Sequence, residues 1–359
     1  MKNIKVIGTV CLAILISMLA IGCGSGATSG GGSGGSSGTQ NPVDHISTID
    51  AVGGHSTCLA IDSAGKPRIS YYRSSDFKVY YTKWTGTTWE AHAITSGAGG
   101  GTGFKLGSQD SYAIAFYDAS GLICGTGNDS SSGGGTVDSF TYGFSYYGVS
   151  LALDANEHSR VSYYNADQNC LKYAEYDGSN WILSTIDATA GVGKYSSIVL
   201  NTYGSPEISY YDATNKWLKY AKWTGSAFDL STVDATGADV GKYSSITLDN
   251  NGRPWISYVY ENKVYVASWE GSVWDKRQVS STIASFMYTT IKIGSDNIPW
   301  ISYFNGSDKL YLASWEGSTW DNQVIQGGSQ VGEFPSLALY NNKPRISYRI
   351  GSVLMYYWQ

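Results

Sequence analysis

Apolar and polar positions alternate along this chain in short runs that return at a nearly fixed interval. The clearest run is apolar-Ser-Tyr-aromatic: Ile69-Ser70-Tyr71-Tyr72, Val161-Ser162-Tyr163-Tyr164 and Ile208-Ser209-Tyr210-Tyr211. It recurs as Ile256-Ser257-Tyr258, Ile301-Ser302-Tyr303-Phe304 and Ile346-Ser347-Tyr348, with a degenerate copy at Ile114-Ala115-Phe116-Tyr117. The seven copies begin at 69, 114, 161, 208, 256, 301 and 346, at spacings of 45, 47, 47, 48, 45 and 45. After residue 23 no stretch carries the 3.6-residue apolar period of a helix, so the elements are strands. A period in the forties made only of strands predicts an all-β fold, a seven-bladed β-propeller with four strands per blade.

The fourth unit shows the four strands. Residues 196–200 form strand A, 207–211 strand B, 218–223 strand C and 228–233 strand D, with Gly, Asn or Pro at the turns between them. The seventh unit lacks a strand D, because the chain stops after strand C at 353–358. At the other end, His45-Ile46-Ser47-Thr48-Ile49-Asp50 matches the strand D of unit 3, Leu183-Ser184-Thr185-Ile186-Asp187. The N-terminal strand is therefore expected to complete the last blade, closing the ring and removing an exposed edge. Residues 43–359 divide among seven units at about 45 each.

Composition agrees with strands and narrows the partners. Gly (44 residues) and Tyr (29) are abundant, and only 15% of residues are charged. The net charge of −5 offers no basic excess to neutralise phosphates, so nucleic acid is excluded as a partner. Before the repeats, Lys2 and Lys5 precede an uncharged apolar run at 6–21, shorter than the roughly 20 residues of a membrane-spanning helix. It has the form of a secretory signal. Residues 24–41 hold 8 Gly and 5 Ser among 18, a composition too polar to fold. Within it, Gly31-Gly32-Ser33-Gly34-Gly35 matches a nucleophile-elbow pattern by low complexity alone, since no strand precedes it and no helix follows.

Leu19-Ala20-Ile21-Gly22-Cys23 resembles the lipobox of bacterial lipoproteins. The resemblance implies cleavage before Cys23, lipidation of its thiol and a membrane anchor. Gly24 stands where an Asp would retain such a protein at the inner membrane, which implies the outer membrane. The expected organisation is a lipoprotein signal peptide at 1–22, the lipidated Cys23 with its Gly/Ser-rich tether at 23–42, and the propeller at 43–359. That last span resembles bacterial surface lipoproteins built from Ser-Tyr-Tyr propeller repeats. The corner Ser314-Trp315-Glu316-Gly317-Ser318-Thr319-Trp320 resembles, more distantly, the Asp-box of sialidase-type propellers.

Candidate chemistry is sparse. Trp84, Trp223, Trp269, Trp315 and Trp358 share one repeat position at the end of strand C. Trp89, Trp181, Trp274 and Trp320 share another at the C–D corner, with Phe228 in the same place. Residues repeated in nearly every blade read as packing. Arg68, Arg160 and Arg345 share a position before strand B and invite comparison with a sialidase arginine triad. They follow the A–B turn, however, on the face opposite the usual active site, and read as packed stems with wet heads. His45, His55, His92 and His158 have no ligand spacing, so no metal and no cofactor is expected. Asp249-Asn250-Asn251-Gly252 reads as a tight turn. Cys58, Cys124 and Cys170 read as buried free thiols, though an exported compartment would allow a disulfide.

The D–A and B–C loops share one face, and there the sequence is most varied. Asp187, Lys194 and Tyr195 fall in one D–A loop, and Asp234, Lys242 and Tyr243 in the next. Asp212 and Trp217 fall in a B–C loop of the same face. This set suits a hydroxyl-rich ligand, with polar groups for hydrogen bonds and a ring for stacking, and the expected site lies between blades 3, 4 and 5. The reading is a monomeric, non-enzymatic binding module whose partner is a surface carbohydrate. A scaffold contacting an envelope protein is the alternative, and a sialidase-like enzyme a third. The glycine-rich residues 125–135 mark blade 2 as irregular.

Overall fold

The structure is a computed structural model that describes residues 45–96, 98–128, 132–141, 148–237, 239–280 and 288–359. The expected leader, Cys23 and the tether lie outside the described residues. Among the described residues the chain forms seven four-stranded antiparallel sheets. They are blade 1 (55–96), blade 2 (98–139), blade 3 (149–187), blade 4 (192–234), blade 5 (240–278), blade 6 (289–327) and blade 7 (331–358), the last completed by His45–Asp50. Among the described residues a single 3-10 turn, Ser108–Asp110, interrupts the β-structure. The innermost strands touch their neighbours in chain order, and blade 7 returns to blade 1, so the sheets form a propeller ring. The N-terminal strand pairs with Val353–Trp358 in register His45 to Trp358 and Thr48 to Met355, which is the closure the sequence predicts.

The repeated motif stitches the ring. Its first residue (Ile69, Val161, Ile208, Ile256, Ile301, Ile346) is fully buried between blades, and the first Tyr is buried as well. At three interfaces its serine meets a hydroxyl on strand A of the following blade, whereas the Ser70 and Ser257 hydroxyls have no hydrogen-bond partner. Ser162 bonds Ser196 at 3.1 Å, Ser209 bonds Ser244 at 2.9 Å, and Ser347 bonds Thr57 at 2.8 Å. Pro335 takes that hydroxyl position in blade 7, and the Ser302 hydroxyl of blade 6 has no hydrogen-bond partner. Further along strand A a second set of serines accepts the backbone N–H of the next blade. Ser150 takes Ile198, Ser197 takes Ile246, Ser245 takes Ile291 and Ser336 takes Leu59.

The tryptophans pack in pairs across the C–D hairpin. Trp84–Trp89, Trp269–Trp274 and Trp315–Trp320 have ring centroids 5.5, 5.3 and 5.2 Å apart, and Trp223–Phe228 follows at 5.1 Å. Each second ring also meets the preceding blade where Tyr220 touches Trp274 and Tyr356 touches Trp89. They therefore pack within a blade as well as between blades. Cys58, Cys124 and Cys170 are free thiols.

Candidate functional site

Strand A is longer at its N-terminal end than the sequence suggests. In blade 4 it spans Val192–Leu200 and in blade 5 Val240–Leu248. Lys194, Tyr195, Lys242 and Tyr243 therefore belong to strands, not to D–A loops. The alternation was hidden by two register shifts in each strand, between Val192/Lys194 and Lys194/Ser197 in blade 4. The glycines before the lysines are closely packed. A Cβ on Gly193 would lie 2.6 Å from the Leu171 backbone, and one on Gly241 2.7 Å from that of Leu218. They let strand A cross over strand C of the preceding blade, with φ of +103° and +106°.

One residue per blade stands at the mouth of the central channel, placed in blades 2, 4, 5 and 7 by the second bulge. These residues are Ser56, Gly101, Gly148, Tyr195, Tyr243, Tyr288 and Phe334, around a cavity of about 170 Å³. Ser56, Gly101, Gly148, Tyr195, Tyr243 and Phe334 all have left-handed backbone, with φ between +50° and +76°. Glycine adopts that conformation freely, and another residue gives up roughly 1 kcal/mol to do so. Blades 2 and 3 carry glycine here, whereas blades 4 to 7 carry aromatic side chains. Tyr195 and Tyr243 have centroids 4.4 Å apart, Tyr243 and Tyr288 4.5 Å, and Tyr288 and Phe334 4.5 Å, each tilted by 42–56°. His55 extends the series, 5.5 Å from Phe334. The mouth is thus an aromatic crescent on one side and a gap of small residues on the other. All four crescent rings are only partly buried. Burial, and then the charge of Arg349, bring the His55 imidazole down to about 4, so it is neutral at pH 7.

The acidic residues named from the sequence are hydrogen-bonded to protein groups. Asp187 is buried and accepts hydrogen bonds from Tyr210 Oη at 2.9 Å and Lys219 Nζ at 2.5 Å, both in the next blade. Burial raises its carboxyl, but the bonds from Lys219, Thr189 and Tyr210 outweigh that and hold it below the usual carboxylate range. Asp234 repeats the arrangement with Tyr258 at 2.7 Å and Lys276 at 3.1 Å. So do Asp138 with Tyr163 and Lys172, and Asp50 with Tyr71. This latch joins the end of strand D (its last residue, or in blade 2 the one before it) to the motif tyrosine of the following blade. Asp212 is buried and caps its turn, accepting from the Thr214 and Asn215 backbones. Trp217 is not in a loop but opens strand C, half-buried. Lys242 pairs with Asp239 at 2.6 Å and lies 5.7 Å from the Tyr211 ring; Lys194 lies 5.4 Å from the Tyr164 ring.

Of the expected site residues, only Tyr195 and Tyr243 are brought together at the channel mouth. Tyr288, Phe334 and His55 were missed. The signal existed: each mouth residue stands three before the apolar anchor of its strand A, as Tyr195 before Ile198, Tyr288 before Ile291 and Phe334 before Leu337. On the opposite face the arginines lie within strand B, not before it, and are engaged within their surroundings. Arg68 pairs with Asp62 and Asp110, Arg160 with Asp154, and Arg345 bonds the Gln359 carbonyl.

A second recess, about 630 Å³, lies between blades 5 and 6. Here Ser280 stands at the latch position and its hydroxyl accepts the Val264 backbone N–H, while Tyr303 turns instead to Asn322 at 2.7 Å. Arg277 lies 5.3 Å from the Trp315 ring along this recess.

No family model matches the chain, and no curated protein matches it in sequence. Solved structures share its fold at low identity. An ulvan lyase described as a polysaccharide lyase, bound to a glucuronate–rhamnose sulfate chain, aligns with a TM-score of 0.61 at 10% identity, covering 87% of this chain and 95% of that one. AofleA from Arthrobotrys oligospora aligns at 0.54 and 16%, covering 80% and 90%. The fucose-specific lectin from Aleuria aurantia aligns at 0.51 and 14%, covering 80% and 100%. At these identities the likeness is one of fold.

Proposed function

We propose that this protein is a non-enzymatic carbohydrate-binding module, held on the outer membrane of a bacterial envelope by a lipid on Cys23. The ligand site is the aromatic crescent at the channel mouth. The observation that carries this reading is the placement of Tyr195, Tyr243 and Phe334 on left-handed backbone that glycine fills in blades 2 and 3. Backbone strain retained at a solvent-open rim marks a requirement for the side chain. Partly exposed rings side by side offer faces on which the C–H side of a sugar stacks, and the tyrosine hydroxyls supply donors and acceptors for its hydroxyls. Fucose-binding lectins and a polysaccharide lyase among the fold's relatives support a glycan as the ligand class.

A glycan array probed with soluble 43–359 tests the reading. Capture of a defined glycan that Tyr243→Ala reduces supports it. Capture unaffected by Tyr243→Ala and lost with Arg277→Ala moves the site to the recess between blades 5 and 6. An array with no hits, alongside co-purification of an envelope protein, replaces it with the scaffold reading. A lyase is the second enzyme-class reading, favoured by the neutral His55 beside the crescent. Release of unsaturated, ultraviolet-absorbing product from an acidic polysaccharide would establish it.

A further inference from the structure

Beyond the mouth, the residue that follows the apolar anchor of each innermost strand A is only partly buried, save Ala152, which is buried in the core. In ring order from blade 6 this tier reads Lys292, Ala338, Ala60, Lys105, Ala152, Val199 and Thr247. Two lysines therefore flank two alanines across an arc of blades 6, 7, 1 and 2. Among the described residues neither ammonium has a hydrogen-bond or ion-pair partner. The carboxylates that follow this tier are committed elsewhere: Asp62 to Arg68, Asp154 to Arg160 and Asp249 to Arg253. We infer that Lys105 and Lys292 form an anion site inside the channel, which takes a small oxyanion such as phosphate, sulfate or a carboxylate.

The electrostatics agree with the geometry. Burial, then the like charge of Lys105, bring the Lys292 ammonium down to about 8, with Cys58 acting weakly the other way. No carboxylate acts on it, and the adjoining inner strands bring Thr247 and Ala338 at its height. At pH 7 Lys292 is still mostly protonated, so the channel holds two cations without an opposite charge. An enclosed cation in that state is costly unless an anion neutralises it. Ala338 and Ala60, which separate the two lysines around the ring, carry short apolar side chains packed against the cores of the following blades, so they offer no competing charge, and each ammonium can donate to the same oxyanion. This site does not depend on the glycan reading, since it uses no residue of the crescent.

The test is calorimetric titration of soluble 43–359, which contains every strand of the fold, with inorganic phosphate, sulfate and acetate at fixed ionic strength. Saturable binding of one or more is expected, weakening above about pH 8 as Lys292 loses its proton. Lys292→Met and Lys105→Met should each weaken it about tenfold or more, the scale of one charge-assisted contact. Lys292→Arg should retain it, and Tyr243→Ala should leave it unchanged. No saturable binding by any of the three anions, or equal affinity in both Met variants, overturns the inference. Should the variants fail to fold, the lysine ε-CH₂ signals of the unaltered protein decide. A midpoint for Lys292 that rises with phosphate supports the site, and one that stays fixed removes it.

Discussion

The Tyr210 hydroxyl of blade 4 donates to the Asp187 carboxylate of blade 3 at 2.9 Å, and both groups are buried. Blade 1 carries Thr95 where blade 3 has Asp187, and the motif tyrosine it would meet in blade 2 is Phe116. Donor and acceptor thus disappear together at that interface. Tyr210→Phe should lower the stability of the whole ring by about 1–2 kcal/mol, since it leaves a buried carboxylate one bond short. Chemical denaturation followed by tryptophan fluorescence measures it. Glycan capture should not change; if it did, Asp187 and its partners would belong to the binding site after all.

Gly193 is the stricter backbone position. Gly193→Ala forces a Cβ to 2.6 Å from the Leu171 backbone at a φ of +103°. The expected loss is about 2–3 kcal/mol, read in the same denaturation experiment. Gly204→Ala, also at positive φ but with open space around it, should cost no more than roughly 1 kcal/mol.

Tyr243→Gly separates strain from binding. Removing the ring gives up contacts with Tyr195 and Tyr288, while the left-handed backbone relaxes by roughly 1 kcal/mol. The melting temperature should therefore move little. Glycan capture should fall by tenfold or more, on the scale of about 1–3 kcal/mol for a stacked ring.

His55 makes stability depend on acid. Its folded value of about 4 lies below its ordinary 6.5, so between these values the unfolded chain binds the extra proton. Stability should be flat above about pH 6.5 and decline as pH falls towards 4. His55→Gln should remove that part of the slope in thermal melts run across this range.

The closing strand and the anchor have separate tests. Deleting 45–50 uncovers the strand that holds Leu354 and Tyr356 and should lower the single melting transition of the whole ring. A second, unaffected transition would instead indicate two independent folding units. Cys23→Ser should release the protein from the membrane fraction, and a variant that still pellets with membranes would end the lipid-anchor reading.

The ring was legible in the chain because a propeller repeats one local pattern. Ile208-Ser209-Tyr210-Tyr211 and its copies show both the strand and the interval, and His45–Asp50 shows by likeness to a strand D how the ends meet. The partners of those residues were not legible. Asp187 reads as a polar loop residue until the next blade brings Tyr210 and Lys219 against it. Tyr195 and Tyr243 looked like loop residues because two bulges break the period-two alternation that marks a strand. Lys105 and Lys292 stand 187 positions apart and carry no local pattern. They share a tier only because closing the ring turns equivalent positions of separate blades towards one axis. Local alternation records which way a side chain faces its own sheet, and only the packing of seven sheets around a channel determines what it faces there.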